Sequence, residues 1–539
     1  MTSTIRRRGP DIGAHILIVF MIGLNIVALL VAYLIAARLG RPAWSAIVIV
    51  VVVAVDIAVS WDLRPRGRSH IDVAARLLES PSRMSRNTAE GVRRVARDLG
   101  YGHLSSPGLY LGKSVRGDRE LWSTWEDMYV EISGPGTGKT MSRAIPNIIT
   151  APGPVIVTSC KNHVVEATRA LRERQGRTWV YDPQNVWGER PDWYFSPLQL
   201  IEGEMKEAMT VAGLFMSTQR QEHHRTDAYF EPAAQSLISL MLFAADAGRR
   251  PITDILRWLK RPDDDTPVNL IRDVDRHHLA VHAFEGLVAL PVSQRAGVYG
   301  AATQYMSWLG VPGIIPWITP GEGREEFPFV QFARESTDTL YVMSRTDDKT
   351  ASPAVSAITA AVVVVGETGS AKMPGGRLRK PLLAVLDEPA NVAQLQLWPN
   401  RYSHFGSRGV IVMTMLQSWA QGVDVWGADG MAKLWGAASV RVYGGGGTEA
   451  RTIDDYALAA GKFEPGTVST SHQIPRLKGS YSRGSREEAI LHPSDVANLP
   501  RGRLLIQMSG QRPILAKSEP WTEGPYADEI KRSIAKYRR

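Results

Sequence analysis

The chain has 539 residues, of which 44% are hydrophobic and 22% are charged, with one cysteine and a formal net charge of +9. This composition excludes a largely disordered chain, and the single cysteine excludes an intramolecular disulfide and a cysteine-cluster metal site. The length permits more than one domain, and the modest basic excess favours contact with polyanions such as nucleic acid or anionic lipid.

The N-terminal region contains two apolar runs of membrane-spanning length. Residues 13–37 carry no formal charge, and residues 44–61 are apolar apart from polar positions such as Asp56. About 20 such residues suffice to cross the hydrocarbon core of a bilayer. The first run is too long for a cleavable signal peptide, and no clear small-residue cleavage site follows it. Residues 1–68 are therefore predicted to form a transmembrane hairpin.

Basic residues flank this hairpin unequally. Three arginines precede the first run and three follow the second, whereas the short link between the runs contains two. Cytoplasmic flanks attract basic residues, so both termini are predicted to lie on the cytoplasmic side of the cell membrane. The hairpin would then anchor a large cytoplasmic body.

The next informative stretch is glycine-rich. Residues 127–132 predict a strand, residues 133–140 read SGPGTGKT, and residues 141–149 predict a helix. Such a loop presents backbone N–H groups and a helix N-terminus to phosphate oxygens, while its lysine reaches the β- and γ-phosphates and its threonine holds Mg²⁺. The pattern predicts ATP and Mg²⁺ as cofactors. The residues predicted to bind nucleotide are Ser133, Gly134, Pro135, Gly136, Thr137, Gly138, Lys139 and Thr140.

The run PLLAVLDEPAN supplies the carboxylate that a phosphate loop requires on another strand. Residues 382–386 predict a buried parallel strand, and Asp387 at its end is predicted to hold Mg²⁺ together with Thr140. The adjacent Glu388 is predicted to accept a proton from the attacking water, with Lys139 as the other catalytic charge. An ordinary strand ending in an acidic turn is the alternative, which the accompanying phosphate loop disfavours.

Residues 407–421, SRGVIVMTMLQSWAQ, predict a further strand with a candidate residue at each end. Gln417 lies just past the strand and could sense the γ-phosphate or orient water; the alternative is a polar residue at a helix start. Arg408 lies on the turn entering the strand. Its guanidinium could reach a neighbouring subunit's nucleotide as an arginine finger, or it could form a surface salt bridge.

Taken together, these motifs resemble those of the type IV secretion coupling proteins, the TraG/TraD-like ATPases of conjugation. The resemblance covers about residues 100–515 and rests above all on the segment from LLAVLDEPAN to MLQSWAQ. It implies an α/β fold: a RecA-like P-loop motor domain with a parallel sheet, an inserted all-helical domain and the N-terminal two-helix transmembrane hairpin. It also implies a homo-hexameric ring with ATP bound between subunits, which strengthens the finger interpretation of Arg408.

The predicted domain boundaries combine this resemblance with the spacing of the motifs. Lys139 and Asp387 lie about 250 residues apart, far more than a minimal core needs, and this leaves room for an insertion. The predicted segments are 1–68 (transmembrane hairpin), 69–203 (first part of the ATPase domain), 204–333 (inserted all-helical domain), 334–520 (second part of the ATPase domain) and 521–539 (basic C-terminal tail).

The sequence departs from the family's pattern at three places. Ser133 replaces the usual glycine, Pro389 stands where a large apolar residue is common, and SCKNH replaces an Asp-Pro-Lys-Gly turn. Within the last segment, Lys161 could touch phosphate or a neighbour, or it could be solvated. None of these changes removes the lysine, the metal ligand or the general base, so an active ATPase is expected.

The predicted function is that of a membrane-anchored ATPase that recruits DNA, as a relaxase-bound single strand, and/or protein substrates to a type IV secretion or conjugation channel. ATP hydrolysis would drive the transfer. The sequence shows no base-reading module, so DNA contact should be sequence-independent. Two alternatives stay open: a coupling ATPase that exports only effector or toxin proteins, and a non-hydrolysing membrane scaffold that docks cargo. An FtsK-like translocase is disfavoured, because neither its longer membrane region nor its winged-helix module is found.

Overall fold

The structure is a computed structural model. It describes residues 70–217, 229–274, 278–389, 395, 398–447, 449–464, 467–470, 481–484 and 487–538. The predicted transmembrane hairpin lies outside these residues and stays a prediction.

The strands of the described residues form one large sheet and three two-stranded ribbons. In chain order they are β1 (Leu109–Ser114), β2 (Glu120–Ser123), β3 (Tyr129–Ile132), β4 (Val155–Ser159), β5 (Thr178–Tyr181), β6 (Trp193–Tyr194), β7 (Glu325–Glu326), β8 (Thr339–Met343), β9 (Leu382–Asp387), β10 (Val410–Leu416), β11 (Val440–Tyr443), β12 (Lys462–Phe463), β13 (Thr467–Thr470), β14 (Tyr481–Gly484), β15 (Glu488–Ala489), β16 (Arg503–Met508) and β17 (Ile514–Lys517). The order across the large sheet is β2-β1-β17-β16-β11-β3-β10-β9-β4-β8-β5.

The same residues also form α-helices. They are α1 (His70–Ala74), α2 (Ala89–Asp98), α3 (Ile145–Thr150), α4 (Asn162–Arg172), α5 (Met205–Ser217), α6 (Phe230–Ala247), α7 (Thr253–Leu259), α8 (Thr266–Arg272), α9 (His278–Val288), α10 (Val292–Met306), α11 (Ile315–Ile318), α12 (Phe329–Glu335), α13 (Ser352–Ser370), α14 (Trp398–Arg408), α15 (Trp419–Ala437), α16 (Ala450–Ala460), α17 (Pro493–Ala497) and α18 (Ala527–Tyr537).

The large sheet is parallel in one half and antiparallel in the other. Neighbouring strands from β11 to β5 pair in parallel. β16, β17, β1 and β2 extend the sheet through antiparallel pairs. The prediction of a parallel sheet therefore holds for the half that carries the phosphate loop and is wrong for the other half. The β1–β2 and β16–β17 pairs are antiparallel because short turns join them, whereas the antiparallel β1–β17 pair joins segments about 400 residues apart.

The parallel half forms the centre of the core. β4, β8, β9 and β10 are buried at every position, as expected for strands covered on both faces. Among the described residues, the helical stretch Lys349–Ser370, which contains α13, has the length and hydropathy of a membrane span. Its most apolar window is 78% buried inside the protein, which is the pattern of a core helix.

The predicted insertion, residues 204–333, contains mainly helices in the structure. α5, α6 and α10 pack together within it. This stretch also contains the short strand β7, which pairs with β6. The segment is therefore rich in helix without being entirely helical, and its predicted boundaries stay a prediction.

The basic C-terminal segment packs against α4, the helix that follows β4. α18 lies against α4, with Ile530 buried and Ser533 Oγ donating a hydrogen bond to the carbonyl of Glu166 at 2.6 Å. Lys536 Nζ lies 3.1 Å from a carboxylate oxygen of Glu173. The segment predicted as a basic C-terminal tail, residues 521–539, therefore contains a helix that docks on α4, because its apolar and small residues share one face.

Arg172 fastens the end of α4 to the core. Its fully buried guanidinium donates hydrogen bonds to the carbonyls of Ala151 (2.6 Å), Gly153 (3.0 Å) and Thr337 (2.8 Å) and to the hydroxyl of Thr339 (2.6 Å). Burial lowers the pKa of Arg172 to about 10. One side chain thus satisfies several backbone groups that water cannot reach.

Arg172→Met is expected to lower the free energy of unfolding by about 3 kcal/mol, because buried carbonyls lose their donors. The matched control is Arg174→Met, whose side chain is 61% exposed and pairs with Glu529. That change should cost less than about 1 kcal/mol. Thermal unfolding of the purified chain, followed by circular dichroism, measures both. Equal losses for the two variants would contradict the role given to Arg172.

Candidate active site

The register of three central strands brings the predicted site residues to one edge of the sheet. Ile132 of β3 pairs with Leu416 of β10, and Met415 of β10 pairs with Asp387 of β9. The residues that follow these strands therefore emerge side by side. Ligands of open parallel sheets bind at this carboxyl edge.

The phosphate loop begins directly after β3. Gly136 and Gly138 have φ values of 71° and 84°, a left-handed conformation that glycine adopts without strain. Thr137 Oγ1 donates a hydrogen bond to the carbonyl of Gly134 at 2.8 Å. The helix predicted after the loop is present, although its first turn, Thr140–Ala144, is π-helical before α3 begins.

Two oxygen ligands suited to Mg²⁺ meet beneath this loop. Thr140 Oγ1 donates a hydrogen bond to Asp387 Oδ2 at 2.9 Å. Asp387 Oδ1 is buried and has no hydrogen-bond partner among the described residues, and burial raises the pKa of this carboxyl. Hydroxyl and carboxylate oxygens are hard ligands, and Mg²⁺ takes the rest of its shell from phosphates and water. The residues therefore fit this ion.

Glu388 lies between two lysines. Its Oε1 is 3.6 Å from Lys139 Nζ and 3.9 Å from Lys161 Nζ. The carboxylate is almost fully buried, and the residue has a φ of 57°, which is uncommon outside glycine. Strained backbone of this kind concentrates at functional sites. Lys161 was predicted to touch phosphate or a neighbour, or to be solvated. Its side chain is 56% exposed and contacts Glu388, and a contact with phosphate or a neighbour stays a prediction.

The two residues predicted at the ends of β10 lie at opposite edges of the sheet. Gln417 follows β10 at the carboxyl edge, and its N–H donates to Gln421 Oε1 at 2.9 Å, just before α15 begins. Arg408 ends α14 at the amino edge, where its Nη1 donates to the carbonyl of Gly376 at 3.3 Å. The seven residues of β10 separate these edges by about 23 Å. Arg408 is therefore far from its own chain's phosphate loop.

Beneath the loop lies a buried ion pair that the sequence reading missed. Arg143 donates to Glu131 through Nε (2.7 Å) and Nη2 (2.5 Å), and both side chains are fully buried. Ser133 Oγ donates to Glu131 at 2.6 Å, and the Tyr129 hydroxyl donates to the same carboxylate. Ser133, at the first position of the loop, thus makes a hydrogen bond to Glu131 that a glycine at this position could not make. The signal available in the sequence was Glu131, a charged residue inside the otherwise apolar strand YVEI, which indicates a buried charge that needs a partner.

Glu131→Gln is expected to lower the free energy of unfolding by about 3–5 kcal/mol, because Arg143 is left buried without its counter-charge. The double variant Glu131→Gln with Arg143→Met should recover a large part of that loss, since it removes the second charge as well. Urea unfolding of the purified chain measures both. A double variant as unstable as the single one would contradict this account.

The same pair predicts how stability depends on pH. Burial raises the pKa of Glu131, but Arg143 outweighs burial and holds the pKa below the ordinary value of 4.5. The contribution of the ion pair is therefore complete above that ordinary value and is lost only as the pH falls through the lowered folded-state pKa.

A central phosphate loop, a threonine and an aspartate placed for Mg²⁺, and an adjacent glutamate define a P-loop nucleotide-binding protein. The family described as the TraM recognition site of TraD and TraG matches residues 381–501. The type IV secretion system-coupling protein VirD4 of Bartonella quintana (strain Toulouse) is 21% identical over 403 residues, which are 71% of this chain. VirD4 of Bartonella henselae is also 21% identical, over 404 residues. The chain spans 61% of the length of these two relatives.

Solved structures of similar fold include the bacterial conjugative coupling protein TrwBdeltaN70 in its unbound monoclinic form. The match has a TM-score of 0.57 and 15% identity, and it covers 80% of this chain and 91% of that one. TrwB in complex with ADP and Mg²⁺ has a TM-score of 0.51 and 17% identity, over 73% and 85% of the two chains. The chain is therefore related to the type IV secretion coupling proteins. This confirms the resemblance stated from the motifs.

Proposed function

We propose that the chain is an ATP-hydrolysing coupling protein of a type IV secretion or conjugation system. The observation that carries the proposal is the convergence of Lys139, Thr140, Asp387 and Glu388 at one edge of the sheet. A nucleotide-binding scaffold without hydrolysis needs the first two residues. It does not need a strained, buried glutamate beside them.

Each residue of the site has a chemical role in this proposal. Thr140 and Asp387 hold Mg²⁺, which neutralises phosphate charge when it is bound. Lys139 exchanges its contact with Glu388 for phosphate oxygens. The Glu388 carboxylate, still near Lys161, then accepts the proton of the attacking water, and Gln417 orients that water or senses the γ-phosphate.

Glu388→Gln is expected to lower ATP turnover by a factor of about 100 or more with ATP binding kept, because the amide cannot accept the proton. The matched control is Glu523→Gln, an exposed glutamate outside the site, which should hydrolyse ATP like the unchanged chain. Steady-state hydrolysis of the assembled protein measures turnover, with and without single-stranded DNA. Turnover that survives in Glu388→Gln would remove Glu388 as the base.

The DNA arm of this experiment separates the possible cargoes. Stimulation by single-stranded DNA of any sequence, weakened by salt, supports a relaxase-bound strand as cargo. Turnover without any DNA response favours export of effector proteins alone, and ATP binding without turnover under all conditions favours a docking scaffold.

The matched family's description supports a TraM-type partner at residues 381–501. The apolar runs 13–37 and 44–61 support anchoring in the cell membrane.

We further propose that the active form is a homo-hexamer in which Arg408 completes the site of a neighbour. Its position supports this, because the amino edge of the sheet is about 23 Å from the chain's own phosphate loop. An arginine finger acts on the nucleotide of a neighbouring subunit, so it has to lie on a surface away from its own chain's phosphate loop.

Arg408→Ala is expected to lower turnover by a factor of about 1000 with ATP affinity nearly unchanged. Mixing Arg408→Ala subunits with Lys139→Ala subunits should restore part of the activity, because some interfaces then combine an intact loop with an intact arginine. The control mixes Lys139→Ala subunits with Glu388→Gln subunits. Each of these changes damages the nucleotide site of the subunit that carries it, so no interface in the mixture has an intact site and no activity should return. A mixture as inactive as its two components would exclude action between subunits.

A further inference from the structure

Two other loops lie against the phosphate loop. The N–H of Gly134 donates a hydrogen bond to the carbonyl of Gly445 at 2.8 Å, so the segment after β11 covers the start of the loop. Leu499 packs next to Gly445, because a Cβ placed on that glycine would lie 3.2 Å from the Leu499 Cβ. The polypeptide before β16 is thereby brought to the nucleotide site.

This polypeptide forms a tight turn, Pro500–Arg503. The N–H of Arg503 donates to the carbonyl of Pro500 at 3.0 Å, and Gly502 adopts a φ of 76°, as the third residue of a type II turn requires. The carbonyl of Gly502 accepts a hydrogen bond from the N–H of Ser518 at 2.9 Å. Ser518 Oγ in turn accepts one from Arg143 at 2.8 Å. The turn is therefore tied to the helix that follows the phosphate loop.

The turn directs Arg501 to the phosphate loop. A Cβ placed on Gly136 would lie 3.9 Å from Arg501 Nη2, so the guanidinium lies beside the backbone that receives phosphate. Arg501 is exposed and forms no ion pair within the described part of the chain. The nearby Arg503, by contrast, is engaged in a two-pronged ion pair with Asp72 at 2.8 and 3.0 Å.

We propose that Arg501 binds the polyphosphate of the nucleotide from within the same chain, as a second cationic side chain beside Lys139 and in addition to the backbone N–H groups of the loop. This inference rests on the proposed function. A guanidinium that lies beside a phosphate loop, with no acidic partner among the described residues, is suited to two-pronged contact with phosphate oxygens. Arg501 lies at the carboxyl edge of the sheet and would bind its own chain's nucleotide, whereas Arg408 lies at the amino edge and is proposed to act on a neighbour's nucleotide.

The test is nucleotide binding by the purified full-length chain in detergent, measured with ATP and with inorganic pyrophosphate as competitor. Arg501→Ala is expected to weaken the affinities for ATP and for pyrophosphate by a factor of about 10–100, because each loses one charge-assisted contact. Arg501→Lys, which keeps a point charge, should lose less. The matched control is Arg512→Ala, an exposed arginine without an ion pair among the described residues, on the turn that joins β16 to β17. It should bind both ligands like the unchanged chain.

Three results would overturn the inference. One is ATP affinity in Arg501→Ala equal to that in Arg512→Ala. Another is normal affinity with loss of ring assembly, measured by light scattering, which would make Arg501 an interface residue. The last is an unchanged chain that binds no ATP, and this result alone would also overturn the proposed function. Lys139→Ala serves as the reference for a lost phosphate contact in every measurement.

Discussion

The buried ion pair between Glu131 and Arg143 is the interaction on which the nucleotide site depends. It joins the central strand β3 to the π-helical first turn after the phosphate loop, so the loop is fixed at both of its ends. Arg143 also donates to Ser518 at the end of β17, which connects the antiparallel half of the sheet to the same point. Both charges lie outside the reach of water, so neither can leave the other without a large cost. The ion pair therefore restrains the loop on both sides.

The sequence predicted those parts of the fold whose signal is local. The apolar run ending at Asp387 and the loop before Thr140 are continuous in the chain, and they meet because parallel strands end at one edge. The antiparallel half was missed, because its pairing joins residues some 400 positions apart, such as Lys113 and Lys517. The Glu131–Arg143 pair was missed although its residues are close in the chain: a glutamate inside the apolar strand YVEI indicates a buried charge but does not show which arginine will neutralise it.

The C-terminal helix shows how net charge can mislead. Its basic residues led to its description as a basic C-terminal tail, yet Lys536 pairs with Glu173 at the surface while Ile530 enters an apolar cluster with Ile145 and Leu171. Charged residues of an amphipathic helix describe only its exposed face, and the buried face decides where the helix lies. The helix α4 that it covers begins just after Lys161, so this contact also supports the segment that carries the second lysine beside Glu388.

The two lysines around Glu388 give a physical reason for restrained hydrolysis in the proposed mechanism. Lys139 Nζ lies 3.6 Å from the carboxylate, within the range of an ion pair. Phosphate attracts the same lysine, so the base becomes fully available only when nucleotide occupies the loop. Lys161 is too exposed to hold the carboxylate as strongly, since water screens its charge. In the proposed mechanism, substrate binding and activation of the base are thus coupled through one side chain.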